Sequence, residues 1–277
     1  MSLRIGVALG GGGARGLAHI AMLQAFDELG LRPHCLAGTS IGALVGAAYA
    51  SGISAREIAE HAVDVLANRV RLAQRLLSGR QSNPTALVSF RAFGPVMING
   101  MRLTELFFPQ GVCLRLEDTP IRFSVSATDF YAHKEMAITR GPLREAVAAS
   151  ISLPGIIAAP RIDGRYVIDG GMVNPVPVNH IDKDTDLTVA IDVTGGPVPG
   201  LGRDPGNRDL WFGAAQIMQR QIVGLRNREH PPDILIEPAV DKFRVLEFFK
   251  IRAILAAAVP AKERLKRKLA LAIESKG

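Results

Sequence analysis

The sequence predicts an α/β protein with a mainly parallel central sheet and helices on both faces. Three observations carry this. Strand-like and helix-like segments alternate along the chain, the pattern of parallel strands connected through helices. The 277 residues, 48% of them hydrophobic, can bury a large core. Glycine-rich turns stand where the first two strand-like runs end, and open α/β sheets place their sites at such carboxyl ends. One domain is expected, with a core at about 4–240 and a basic helical segment at about 243–277.

Each element has its own signal. Residues 4–9, RIGVAL, read as a short strand. Residues 17–29 read as a helix because Met22, Ala25, Phe26 and Leu29 share one face, with Gly30 as its stop and Pro33 beyond. A second strand at 34–37 leads into a helix at 40–52, and further helices are expected near 54–77, 142–149, 209–227 and 243–270. Strands are expected at 121–128, 187–193 and 233–238, and a short apolar strand ends at Asp169. Segment 78–100 carries no readable motif and is expected to form part of an acyl pocket or a cap. Segment 193–209, rich in glycine and proline, is expected to be a mobile loop near the site.

Composition excludes several classes. The net charge of +7 is local: residues 242–277 hold ten Lys and Arg against three Glu, which leaves the remainder formally neutral. No RNA-recognition pattern of aromatics interleaves with that charge and no zinc-finger spacing or repeat is present, so a nucleic-acid site would rest on charge alone and no nucleic-acid partner is expected. The start of the chain is too short for a secretory apolar region, and the longest mostly apolar stretch, 36–50, falls short of a membrane span. A cytoplasmic protein is expected. Cys35 and Cys113 lack metal-ligand spacing and read as small buried hydrophobes.

The first turn, GGGGARG at 10–16, contains G-x-G-x-x-G through Gly11, Gly13 and Gly16. A dinucleotide site also needs an acidic residue at the end of the next strand, and CLAGTS offers none. Successive glycines ahead of a helix can still aim backbone N–H groups at a negative oxygen. The second turn, Gly38-Thr39-Ser40-Ile41-Gly42, matches G-x-S-x-G, which presents a serine hydroxyl at a sharp strand-to-helix turn. Behind it Gly42, Gly46 and Ala50 share a helix face, and glycines there imply close packing against a neighbour. Two bases are candidates. Asp169 with His180 or His230 would give the chain order of an α/β-hydrolase triad, although a single strand precedes Ser40. Alternatively Asp169 acts itself, since VIDGGMVNPVP (167–177) brings its carboxylate to an approachable loop.

Four blocks in order, GGGGARG at 10–16, GTSIG at 38–42, AVAASISLPGII at 146–157 and DGGMVNPVP at 169–177, make the chain resemble the bacterial patatin-like phospholipases. Residues 119–130 and 231–238 fit the same pattern. The resemblance implies a three-layer patatin-like fold, a Ser40–Asp169 dyad in place of a triad, and an oxyanion hole from Gly11, Gly12 and Gly13 with Arg15 nearby. The implied substrate is a fatty-acyl ester of a lipid or phospholipid, with no cofactor and no metal. Asp169 needs a raised pKa to serve as base, and a side chain at Gly12 is expected to harm activity far more than stability. A chain that keeps the fold as a non-catalytic lipid-binding or regulatory module is the alternative. Leu265, Leu269, Ala272 and Ile273 form an apolar stripe opposite Arg264, Arg267 and Lys268, with Lys262 and Lys266 toward the flanks. That basic amphipathic helix is expected to dock on the domain, to contact anionic membrane through its charged side, or both.

Overall fold

The computed structural model describes residues 3–67, 97–199, 204 and 206–276. Its strands are β1 (Ile5–Leu9), β2 (Cys35–Thr39), β3 (Arg122–Asp129), β4 (Lys134–Ile138), β5 (Arg161–Ile162), β6 (Arg165–Asp169), β7 (Leu187–Ile191) and β8 (Ile234–Ile236). Its α-helices are α1 (Ala18–Glu28), α2 (Ile41–Ala50), α3 (Ala55–Ala67), α4 (Gly100–Phe107), α5 (Leu143–Ser150), α6 (Asn207–Glu229) and α7 (Ile251–Lys276). The strands form one sheet in the order β5-β6-β3-β2-β1-β7-β8, with β4 also paired to β3. β1, β2, β3, β7 and β8 run parallel, and β4 and β6 run antiparallel to β3.

Side-chain size alternates along β1 and sets the thickness of the two layers. Ile5, Val7 and Leu9 point into the main core, which α1, α2, α3 and α7 cover, together with Leu36, Val125, Val189 and Ile236. Gly6 and Ala8 face the other way, as strand alternation requires. On that thin face segment 174–181 lies directly on the sheet: Ala8, Ala37 and Ala190 pack with Val176, Val178, Ile181 and Val223 of α6. A methyl on Gly6 would stand 2.2 Å from Ile181 Cγ2, so no larger residue fits beneath that segment.

One feature of the sheet brings distant parts of the chain together. β3 outruns β2: β2 pairs with 122–126 of β3, β6 pairs with 127–129, and β4 pairs with 125–129. A strand has two edges, so β4 takes one while β2 and β6 share the other. Because β2 is parallel to β3 and β6 antiparallel, their carboxyl ends meet head-on, Thr39 opposite Ser126 and Asp169 opposite Ala127.

The sequence expectations hold for most elements; the last helix, β4 and α4, where no helix was expected, differ. The last helix begins at Ile251 and runs to Lys276, because Phe243 is buried and a 3-10 turn at Phe248–Lys250 precedes it. β4 was not expected; it is an edge strand whose residues are half or fully exposed, so it lacks a core-facing signature. The helix expected at 54–77 is described as Ala55–Ala67, and its remainder lies outside the described residues, as do 78–96 of segment 78–100 and 200–203 of segment 193–209.

Candidate active site

Ser40 follows β2 directly and precedes α2. Its backbone sits at φ 55°, ψ −121°, a region that an L-residue with a side chain rarely adopts. The flanking glycines make this turn possible by close approach. A methyl on Gly42 would lie 2.2 Å from the Leu9 carbonyl oxygen, and one on Gly38 would lie 2.6 Å from that of Gly42. Gly46 presses on Phe123 and Leu9 in the same way, which accounts for the small-residue face of α2.

The strained turn is held by α5. The Ser40 N–H donates to Ser150 Oγ at 2.8 Å, and the Ser150 hydroxyl donates to the Ser126 carbonyl at 2.6 Å. Two residues on, the Ser152 carbonyl accepts the Asp169 N–H at 3.1 Å. The end of α5 and the residues just after it therefore brace both Ser40 and Asp169. Nothing in the sequence marks Ser150 for this role, since a serine among alanines carries no distinctive pattern.

Ser40 Oγ donates directly to Asp169 Oδ2 at 2.6 Å. The other carboxylate oxygen accepts the Gly171 N–H at 2.7 Å, and Thr128 Oγ1 donates to the Asp169 carbonyl. Asp169 is 4% exposed. Burial pushes its carboxyl up to about 6, against the hydrogen bonds from Ser40 and Gly171 that favour the ionised form. Gly170 packs onto the Ser126 carbonyl, where a methyl would come within 2.3 Å, which explains the glycine after the aspartate. Gln219 of α6 donates to the Gly171 carbonyl from outside.

The histidines lie elsewhere. His180 bonds Glu135 and faces Ser124 Oγ at 3.3 Å, within a network that includes Asn174, Asn179 and Arg226. Burial works against the charge on Glu135, but His180, Asn174 and Arg226 outweigh it and hold that carboxyl at about 2. His230 is exposed at the end of α6, and His19 is buried with Nε2 on the Gly10 carbonyl. Among the described residues no histidine bonds Ser40 or Asp169, so the triad arrangement is not assembled.

The glycine turn lies beside Ser40: a methyl on Gly11 would sit 3.4 Å from Ser40 Cβ. Its four amides divide into two kinds. Gly10 N–H bonds Ile191 O and Gly11 N–H bonds Pro175 O, whereas Gly12 and Gly13 N–H make no hydrogen bond among the described residues. The free donors are thus Gly12 and Gly13, and Gly11 serves to anchor the turn. Gly12 packs against Val193, so the start of segment 193–209 does adjoin the site. Arg15 is buried and directed away from Ser40: it donates to the carbonyls of Phe243 at 2.7 Å and Thr194 at 2.5 Å and to Gln216 Oε1. It ties the turn to its neighbours and offers no donor to the site.

One group of metal-ligand type gathers among the described residues, His34, Asp182 and Asp184 at the opposite end of the sheet. The Arg122 guanidinium pairs with both aspartates there, at 3.1 and 3.5 Å, so the negative charge already has a partner.

The patatin-like phospholipase family matches residues 7–182 of the chain. The chain is 35% identical over 214 residues to the uncharacterised NTE family protein Rv1063c of Mycobacterium tuberculosis, covering 76% of this chain and 55% of that protein. It is 27% identical over 270 residues to lysophospholipase NTE1 of Yarrowia lipolytica, covering 89% of this chain and 18% of that protein. The chain thus spans about half the length of the mycobacterial relative and far less of the fungal one. Among solved structures it is similar in fold to VipD from Legionella pneumophila, with a TM-score of 0.53 at 14% identity, over 96% of this chain and 67% of that one.

Proposed function

The chain belongs to the patatin-like phospholipase family, and from that premise we propose that it is a serine hydrolase that cleaves fatty-acyl esters of lipids through Ser40 and Asp169. The observation that carries the proposal is the direct bond of 2.6 Å from Ser40 Oγ to the buried Asp169 carboxylate. Ser40 Oγ attacks the ester carbonyl while Asp169 Oδ2 takes the hydroxyl proton. The amides of Gly12 and Gly13 receive the developing oxyanion, and Gly11 and Arg15 hold their turn in place. Asp169 then returns the proton to the leaving alcohol, and water releases the fatty acid by the same route. A carboxyl at about 6 is a far better base than an ordinary aspartate and remains ionised at neutral pH. The aspartate needs no histidine because it touches the nucleophile itself.

Peripheral contact with anionic membrane belongs to the same reading, and no described helix is long and apolar enough to cross a bilayer. The charged side of α7 contributes less to such contact than its sequence suggests. Lys262 and Lys266 are both bonded to Glu28, and Arg264 donates to the Glu237 carbonyl, while Leu265 and Leu269 are buried. Arg267 and Lys268 are left facing solvent.

A fluorophosphonate tests the proposal. It is expected to label the wild type at Ser40, to leave Ser40→Ala unlabelled, and to label Asp169→Asn slowly. A folded wild type that takes no label overturns the hydrolase reading and favours the non-catalytic lipid-binding module.

A further inference from the structure

α6 exposes an apolar stripe along its outer side. Its 23 residues span about 35 Å at 1.5 Å per residue. The side packed on the protein mixes polar and apolar residues: Gln216 bonds Arg15, Gln219 bonds the Gly171 carbonyl and Arg226 bonds Glu135, beside the buried Gly213 and Val223. The opposite arc carries Leu210, Trp211, Ala214, Ile217, Met218 and Leu225, all exposed. Trp211 is 73% exposed and Met218 61%. Along this arc the residues recur at helical spacing over four turns, interrupted by the neutral Gln221. Scattered exposed apolar residues need no explanation, but a continuous stripe marks a surface that something covers.

We propose that this face of α6 docks on an anionic lipid surface. The choice of occupant rests on the lipid-ester reading of the Ser40 site and on the charges around the stripe. Arg220 and Arg228 are exposed beside it, and the acid on that arc is Glu229 at the helix's last turn. A tryptophan with arginines at the margin of an apolar stripe matches the layering of a membrane interface, where aromatic rings sit at headgroup level and cations meet phosphate. The polar side of the same helix holds the loop that follows Asp169. Docking through α6 therefore sets the bilayer against the helix that holds the 171–173 loop after Asp169.

The protein contains one tryptophan, and it lies in the proposed face, so its fluorescence reports the contact without a label. Phosphatidylglycerol-containing vesicles are expected to shift Trp211 emission to the blue. Phosphatidylcholine vesicles should do so less, and salt should weaken the effect. The double variant Ile217→Glu/Met218→Glu keeps Trp211 and should bind the anionic vesicles about tenfold more weakly or worse, since it removes two apolar contacts and adds two like charges. Its hydrolysis of a soluble short-chain ester should equal that of the wild type, and Ser40→Ala should bind vesicles normally. If Trp211 shifts but no ester is cleaved, the hydrolase reading fails and the docking stands. Three results overturn the docking: equal vesicle binding by wild type and double variant, sedimentation with vesicles without a Trp211 shift, or a wild-type dimer that the double variant splits and that ignores vesicles.

Discussion

The two ends of the sheet treat carboxylates in opposite ways. At the amino end Asp182, Asp184 and Asp186 stand about half exposed among Arg4 and Arg122, and Asp184 is held below its ordinary range, against some desolvation, by His34 and those arginines. At the carboxyl end Asp169 is buried and, among the described residues, its carboxylate meets no cation, only a hydroxyl and an amide, while burial raises its pKa. The first arrangement closes the bottom of the sheet at little expense to any group. The second holds a carboxylate away from the solvent that would stabilise its charge, and a carboxyl perturbed in this way marks a candidate functional site.

The sharpest way to break this contrast is to remove the reacting groups. Ser40→Ala and Asp169→Asn should each lower ester hydrolysis by about 10²- to 10⁴-fold, measured as initial rates with a soluble ester. His180→Ala should keep most of the rate while lowering Tm, because it strips Glu135 of a buried partner. A loss with His180→Ala as large as that with Asp169→Asn would restore the triad.

Gly12→Ala comes next. Sequence alone led to the expectation that a side chain there harms activity far more than stability, and the structure corrects this. The new Cβ would stand 2.2 Å from the Val193 carbonyl oxygen, a backbone atom that cannot rotate away. The variant should lose about 10²-fold in rate through displaced oxyanion donors and also about 1–3 kcal/mol of stability through overpacking. Thermal unfolding beside kinetics checks both, and an unchanged Tm would contradict the packing.

The pH dependence separates the two ends more gently. Asp169 has a raised pKa in the folded state, so its protonated form stabilises the fold at low pH, and that contribution is lost as pH rises through about 6. Asp169→Asn should therefore be more stable than the wild type at pH 8, by at most about 3 kcal/mol from a shift of roughly two units. The advantage should fade toward pH 4, followed by Tm across that range. Hydrolysis by the wild type should fall as pH drops below about 6, because the base is then protonated. A Tm difference independent of pH would show that the Asp169 pKa is the same in the folded and the unfolded protein, so that burial does not raise it.

These contrasts were unevenly legible in the sequence. Strands, glycine turns and the serine at the end of β2 follow from local patterns. The pairing of Ser40 with Asp169 does not, because it comes from the register of β3, whose one edge seats β2 and β6 head-on. Ser150 escaped notice because its role is a single hydrogen bond to a strained amide. The apolar stripe of α7 was expected to dock on the domain and is buried there, whereas the helix expected at 209–227 carried no reading of which side faces solvent, and α6 exposes Leu210, Trp211, Ile217, Met218 and Leu225. Periodicity reports that a stripe exists and says nothing of which neighbour covers it.

The smallest effect belongs to the amino end. Arg122→Ala removes the guanidinium that pairs with Asp182 and Asp184, and the partners are 56%, 36% and 47% exposed. Water takes over the solvation of both carboxylates, and Arg4 still pairs with Asp184 and Asp186. The expected loss is below about 1 kcal/mol in low salt and smaller still in high salt. Ester hydrolysis should not change, since the whole length of the sheet separates this cluster from Ser40. Asp184 has a lowered pKa, so its share of the stability is present above the ordinary aspartate pKa and lost as pH falls below it. The gap between wild type and variant should therefore close in acid, opposite in sense to the Asp169→Asn gain in that the wild type is the more stable form. Denaturant titrations at two salt concentrations and two pH values test this. A salt-independent loss above about 2 kcal/mol would mean that the amino end, too, depends on a buried charge.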